Sequence, residues 1–442
     1  MDKRTIFIFE YISGGGFNTQ IIPPSLFCEG FGMLRSLIED FKKLDFTITT
    51  QIDIRITHLS SYLNADEIKT VDQTHDFIKQ FKDSILGAEY CFIIAPEFSD
   101  ILYNLTYFAK KSNRKILSTN LRGIKLASSK VRTYSYFKKF GLKCPKTISL
   151  SDKANTVDLD EVKRKAQKLT FPLVLKPVDG VGAESIFYLE NIEDLIRLFK
   201  DERNKLEGDR IYILQDFIQG EDLSVSLIGS HSEGEYSPFK LELLTINSQN
   251  IKLTNNSQIS EYRGGVSPAN QHKNLAVELQ LLLSKSDFSD FTGYFGIDFL
   301  ATQTGSIHFL EINPRLTTSY LGIRNVLSIN PTRLIFNAKM DFTLPRDLKI
   351  EGNSIFSRYE FEYIGNESKK YIDNILVPDL VKDIPEMITP PITFSLDGEK
   401  KKSRRYSMFL ATREPKFEDS TRRVEKIIDL LDSHGFNIIR EK

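Results

Sequence analysis

The sequence has little cysteine, no excess of either charge and no long apolar run, and each shortage excludes a class of protein. Its three cysteines, Cys28, Cys91 and Cys144, are far apart, odd in number and form no CxxC pair. That excludes a disulfide framework and a thiolate zinc site, and it fits a reducing cytoplasm. Lys plus Arg and Asp plus Glu both number 59, so no global basic field draws the chain to nucleic acid or to an anionic membrane. Any anion must be recognised locally. The longest apolar runs, such as Tyr90–Pro96, fall far short of a bilayer span. The first apolar run is broken by Glu10 and leads into glycines, unlike a signal peptide. There is no internal repeat and no low-complexity tract.

What is there reads as an ordinary globular chain, with 40% hydrophobic and 27% charged residues, and its 442 residues exceed what one core holds. Thr5–Phe9 is a short apolar run ending at Gly14-Gly15-Gly16, which predicts a buried first strand and a tight, permissive loop. From Ser25 to Leu44, residues Leu26, Gly30, Met33, Leu34, Leu37, Ile38 and Phe41 recur at helical spacing. Thr47–Thr57 alternates like a strand. Further strands at Tyr90–Ala95 and Lys115–Leu117 alternate with helices at Phe77–Leu86 and Ile101–Lys110, as in a parallel, doubly wound sheet. We expect this Rossmann-like domain over residues 1–125.

A second region, 126–340, has a different rhythm. Ser128-Ser129-Lys130 opens a helix that Gly141 closes. Strands follow at Phe171–Lys176, Ile211–Phe217, Leu223–Gly229 and Leu241–Asn247, suggesting a mixed sheet rather than a second Rossmann unit. Ala276–Leu283 predicts a helix, and a strand pair surrounds Thr304-Gly305. The third region, 341–442, is broken by prolines. It holds a basic, exposed-looking loop at Asp397–Tyr406, an amphipathic helix at Thr421–His434 and a last strand at Phe436–Ile439.

The sharpest chemical signal lies in that strand pair. A turn centred between Thr304 and Gly305 sets Asp298 directly across from Glu311, and Asn313 shares the face of Glu311. Opposed carboxylates destabilise a hairpin unless something neutralises them. Arg315 could do so; so could a dication, and an oxygen-only set suits magnesium with substrate phosphates. Lys176 ends an apolar strand and runs into Asp179-Gly-Val-Gly182, where a lysine and backbone N–H groups could cover phosphate oxygens. The spacing is not a Walker A loop, and the alternative is an ordinary turn. Leu214-Gln-Asp-Phe-Ile-Gln-Gly-Glu221 is a strand edge that could bond an adenine, with Glu221 toward a ribose. Arg263, in Tyr262-Arg-Gly-Gly-Val-Ser-Pro268, is set by glycines on a loop suited to a carboxylate or phosphate. The six histidines show no metal spacing and read as structural or solvated.

Taken in order, these residues resemble the ATP-grasp superfamily, over roughly Leu126 to Asn337. The most specific match is Gly296-Ile-Asp298 followed by Leu310-Glu-Ile-Asn-Pro-Arg315. The resemblance implies two α+β subdomains forming an ATP-grasp fold, between the Rossmann-like domain and a C-terminal α+β extension. It implies that Lys130 and Lys176 hold the α- and β-phosphates and that Gly180 and Gly182 belong to a lid. Gln215, Phe217 and Ile218 would form the adenine pocket, and Glu221 would bind ribose. Asp298, Glu311 and Asn313 would hold two magnesium ions, manganese being the other fit, and Arg315 would face the transferred phosphoryl group, with Arg263 as a second catalytic arginine. Glu184 departs from the small residue common in such lids.

The implied cofactors are ATP and magnesium, and the implied reaction joins a small-molecule carboxylate to an amine through an acyl phosphate. Phe7–Gly16 and Tyr262–Pro268 look like archaeal-type ligases of the tyramine–glutamate ligase group. Rival readings are a nucleotide-binding protein without ligase activity and a carboxylase that uses a carrier on another subunit. A dehydrogenase is disfavoured, because Gly14-Gly15-Gly16 lacks GxGxxG spacing. The acid, the amine, the pathway and whether the chain forms a homodimer stay open.

Overall fold

The computed structural model describes residues 3–180, 185–231, 238–252, 260–269, 273–345, 347–393 and 404–439. The first apolar run forms β1 (Thr5–Glu10), followed by β2 (Thr47–Asp53), β3 (Glu67–Val71), β4 (Tyr90–Ile94) and β5 (Lys115–Ile116). They pair in parallel in the order β3-β2-β1-β4-β5. Helices α1 (Pro24–Lys42), α2 (Phe77–Leu86) and α3 (Ile101–Lys111) make the crossovers, as the alternating pattern predicts. The chain moves one way from β1 to β3 and the other way from β1 to β5. The sheet's direction of growth therefore reverses beside β1 and β4, and the crevice beyond the carboxyl ends of those strands is where such sheets bind ligands.

Two differences here have local causes. The strand predicted over Thr47–Thr57 stops at Asp53, whose carboxylate accepts the backbone N–H of Arg55 and caps a helical turn over Ile54–Tyr62. Strand β3 was not legible because its residues, Glu67-Ile-Lys-Thr-Val71, are mostly solvent-facing at a sheet edge and show no strong apolar alternation.

After α4 (Leu121–Ala127) and α5 (Lys130–Lys139) come two further sheets. The smaller holds β6 (Thr147–Lys153), β7 (Leu173–Pro177), β8 (Phe187–Leu189) and β9 (Ile211–Asp216), ordered β6-β9-β7-β8. The larger begins with β10 (Glu221–His231), β11 (Phe239–Lys252), β12 (Glu261–Ser267), β13 (Gly293–Ala301) and β14 (Ile307–Asn313). The mixed sheet expected here is replaced by antiparallel pairing throughout both. Hairpins and short returns connect most of these strands, and antiparallel neighbours need no crossover helix.

Residues beyond Asp341 continue the larger sheet. β15 (Ser354–Tyr363) pairs with β12, and β16 (Met387–Ile392), β17 (Arg404–Ala411) and β18 (Phe436–Ile438) follow. The exposed loop expected over Asp397–Tyr406 is corrected at its end: Arg404, Arg405 and Tyr406 begin β17, with Tyr406 buried, while 397–403 lie outside the described residues. Helix α1 is wedged between the first and last parts of the chain. Arg35 donates to the carbonyls of Met387 and Ile388, Thr389 donates to the carbonyl of Cys28, and Asp40 accepts from Arg324 and Tyr320. Among the described residues, no helix is long and apolar enough to cross a membrane.

Candidate functional site

The β13–β14 hairpin pairs Ala301 with Ile307 and Phe299 with Phe309, so its turn is centred on Thr304 itself. Carried on unchanged, that register would pair Asp298 with Leu310. A bulge at Leu310 absorbs one residue, and Asp298 faces Glu311 after all, with Gly296 across from Asn313. Bulges commonly re-aim a side chain beside a functional site. Here the displaced Leu310 joins the wall of a cavity that Asp298, Glu311 and Asn313 also line.

The carboxylates are held apart electrically. Asn313 Nδ2 donates to Asp298 Oδ2 over 2.9 Å, and Gln249 Nε2 donates to Asp298 Oδ1 over 3.1 Å. Burial, then Glu311, pushes the Asp298 carboxyl up to about 7. Burial acts the same way on Glu311, but Lys130 and then Lys176 outweigh it and hold that carboxyl below its usual value. The two lysines thus favour charge on Glu311, while burial beside it disfavours charge on Asp298.

Lys130 stands at the start of α5, where Ser129 caps the helix by accepting the N–H of Arg132. Its Nζ lies 3.0 Å from Glu311 Oε2 and donates to the Gly180 carbonyl over 3.3 Å. Lys176 lies at the end of β7, as its apolar run predicts, and is almost wholly buried. Burial lowers its pKa to about 8, with Glu311 opposing that shift. The loop after β7 is anchored at its root: Arg210 donates to the Asp179 carbonyl and carboxylate, and the Ser99 N–H reaches the other carboxylate oxygen. Gly180 lines the cavity, whereas Gly182 and Glu184 lie outside the described residues.

Arg315, just past β14, lines the same cavity, and its charge favours the ionised form of both Asp298 and Glu311. Its Nε lies 3.0 Å from Glu97 Oε1, and its Nη1 donates to the Leu316 carbonyl. Glu10 ends β1, and Ile94, Ala95 and Pro96 lie at and just past the end of β4, so the switch point of the first sheet closes one side of the same cavity, with Glu97 in a small adjoining one. Both Glu10 oxygens are taken by backbone N–H groups, of Ile12 and Ser13. Its carboxyl lies against Gly30 of α1, where a Cβ would fall 2.6 Å from Glu10 Cδ. Gly15, at φ +96°, supplies the turn that the triple glycine predicts.

Other expected residues lie elsewhere. The Gln215 side chain turns to Thr147 Oγ1 at 2.7 Å, and the Phe217 N–H donates to the Pro172 carbonyl. The Phe217 ring meets Tyr188 edge-on at 5.0 Å. Ile218 is half-buried, and Glu221 is exposed at the start of β10 opposite Ala301. These four are near β7 in the small sheet or at its border, but the cavity walls among the described residues are instead Ile186, Leu310, Pro177 and the polar groups named above. Arg263 lines a second cavity and pairs with Glu261 at 3.0 Å. The glycine-flanked segment expected to be a loop is strand β12, in which neighbours point to opposite faces, and it is Tyr262 that reaches the first cavity. His75, His231 and His434 are satisfied by Asp72, the Ser289 carbonyl and the Leu430 carbonyl, and His272 lies outside the described residues.

Sequence reasoning missed Glu97, Gln249, Glu29 and Tyr262. Gln249 and Tyr262 sit on long antiparallel strands whose pairing is non-local, and no spacing along the chain shows which strand they will neighbour. Glu29 was detectable: it lies at helical spacing between Leu26 and Met33, an acid on the stripe otherwise read as apolar.

Residues 127–319 match the sequence model of the ATP-grasp domain, and residues 47–124 match that of the pre ATP-grasp 3 domain. The chain is 26% identical over 324 residues to the tyramine–L-glutamate ligase of Methanocaldococcus jannaschii, covering 73% of this chain and 85% of that protein. It is 28% identical over 331 residues to the enzyme of the same name from Methanocaldococcus fervens, covering 73% and 91%. Among solved structures, the biotin carboxylase–β,γ-ATP complex from Campylobacter jejuni superposes with a TM-score of 0.67 at 14% identity, over 99% of this chain and 92% of that one. Carboxyaminoimidazole ribonucleotide synthase from Aspergillus clavatus, complexed with ATP, gives 0.62 at 15% identity, over 98% and 99%. At such identities the structures establish the shared fold.

Proposed function

For this chain, which belongs to the ATP-grasp superfamily as a C–N bond-forming ligase, we propose that the substrates are an amino-acid carboxylate of the L-glutamate kind and a small primary amine of the tyramine kind. The two archaeal relatives carry those names over most of their length. The observation that carries the reading is the facing pair Asp298 and Glu311, with Lys130, Lys176 and Arg315 lining the same cavity.

In this reading Asp298, Glu311 and Asn313 hold magnesium, or manganese in its place. Their oxygen donors would suit a hard dication, whose charge would favour the ionised form of both carboxylates. Magnesium supplies charge neutralisation on the triphosphate. Lys130 and Lys176 hold phosphate oxygens; Gly180 and Gly182 belong to the cover over them. The small-sheet segment Gln215, Phe217 and Ile218, with Glu221 at its border, takes the adenosine. Arg315 faces the γ-phosphoryl group. A substrate carboxylate oxygen attacks γ-phosphorus in line, the bond to the β–γ bridging oxygen breaks, and ADP leaves. The amine nitrogen then attacks the acyl carbon, the carbon–oxygen bond to phosphate breaks, and the amine's proton is lost. No enzyme nucleophile is needed; the chain positions reactants and stabilises charge. Arg263 has no step, since it lines another cavity.

The test is ADP release by the full chain with MgATP, an amino acid and an amine, with mass detection of the amide. L-Glutamate with tyramine is the first pair. Amide formation dependent on all components supports the reading; ATP hydrolysis indifferent to every acid and amine tried overturns it.

A further inference from the structure

The cavity continues past the carboxylate pair toward the first domain, where its wall changes character. Helix α1 presents Leu26, Glu29, Gly30 and Met33 to it, spaced as one helical face. Ile12, Ile94, Ile251 and the Tyr262 ring complete an apolar surround. Two acids lie here, and they are not equivalent. Glu10 has both oxygens occupied by backbone N–H groups and serves the turn after β1. Glu29 lines the cavity and, among the described residues, accepts from Thr318 Oγ1 at Oε2 over 2.8 Å.

An ammonium on an apolar body matches a carboxylate on an apolar wall. The chemistry needs a proton acceptor at the same place, because an ammonium has no lone pair and must be deprotonated to attack the acyl phosphate.

We infer that the second substrate is a primary amine with an apolar body seated against α1, and that Glu29 receives its ammonium and takes one proton from it before attack, while the second proton, lost as the C–N bond forms, leaves on the departing phosphate. This rests on the ligase reading above. Burial raises the Glu29 carboxyl above its usual value, which makes it a stronger proton acceptor. Thr318, Arg358 and Arg315 act in the opposite direction, and Tyr262 and Cys28 are further ionisable groups beside it.

The experiment compares wild type with Glu29→Gln and Glu29→Asp, using L-glutamate, MgATP and either tyramine or hydroxylamine. Hydroxylamine is unprotonated at neutral pH and traps the acyl phosphate without a base. Glu29→Gln should lower amide formation about 100-fold, as for loss of a general base, and lower hydroxamate formation far less. Glu29→Asp should recover part of the amide rate. Tyramine binding measured by calorimetry without ATP should weaken about tenfold in Glu29→Gln, as for a lost charged hydrogen bond. Equal loss of amide and hydroxamate, or unchanged amide formation, overturns the assignment. Failure of wild type to form hydroxamate from any amino acid would sink the ligase reading instead, and the calorimetric comparison would still judge Glu29.

Discussion

Arg315 and Glu97 meet at 3.0 Å across the boundary between two sheets, one residue following the β13–β14 hairpin and the other following β4 of the parallel sheet. Both side chains are nearly buried, at 12% and 6% exposure, so water screens the pair little. The arginine nearest the proposed phosphoryl position is thus oriented by a carboxylate from a different domain. Removing one partner strands the other's charge. We expect Glu97→Gln to destabilise the chain by about 3 to 5 kcal/mol. It should reduce kcat by more than it raises KM for ATP, and Glu97→Asp should restore part of both. Denaturant unfolding and steady-state kinetics check this; unchanged stability would show that the contact is incidental.

Glu311→Gln should lower ADP formation about 10³-fold, the loss expected when preorganised charge at a phosphoryl site is removed. Folding should be largely intact, since the substitution also removes the repulsion that raises Asp298. Near-normal ADP release with a normal melting temperature would remove Glu311 from the metal set.

Glu10 gives a pH signature. Burial pushes its carboxyl from 4.5 to about 7, overcoming the Ser13 and Ile12 N–H groups. The folded chain keeps a proton that the unfolded chain releases, so this group's contribution to stability falls as pH rises from 4.5 to about 7 and is level above that. Glu10→Gln should flatten that slope, a change worth roughly 3 kcal/mol across the window. Its amide oxygen replaces a carboxylate that accepted two backbone bonds, so the variant starts lower at acid pH; the slope is the readout. Equal slopes would mean that Glu10 titrates normally.

Gly30→Ala should destabilise the protein although alanine favours helix by about 1 kcal/mol. The new Cβ would fall 2.6 Å from Glu10 Cδ, in a site too tight to yield without moving the turn after β1. A net loss of about 1 to 3 kcal/mol by thermal unfolding is expected, as for overpacking. A stabilised variant would show that Glu10 moves aside freely.

Much of the fold was legible because local signals were strong. Apolar runs and helical stripes gave β1, α1, β4 and α3, and Lys176 was placed by the apolar strand before it. The opposition of Asp298 and Glu311 was legible for a partly different reason than expected, since the turn is offset and the Leu310 bulge restores the register. Strands β3 and β6 and the helix Leu159–Ala166 were not, being short and largely polar. Long-range geometry was the other limit. Gln249 meets Asp298 because β10 lies between β11 and β13, and Glu97 meets Arg315 through contact between sheets. Neither follows from spacing along the chain. Arg263 was read as a loop arginine because its two glycines look like a turn; inside β12 those glycines permit close approach of β11 and β15 instead.

The pairing of β12 with β15 bears on how the molecule can be dissected. A fragment ending at Asp341 would strip four strands from the large sheet and leave β12 with a bare row of amide and carbonyl groups. It would also uncover the side of α1 on which Met387, Ile388 and Thr389 rest. Such an open margin recruits other chains, so a shortened version holding every proposed reactive residue should aggregate when expressed. The terminal hundred residues would then be what keeps the catalytic half soluble.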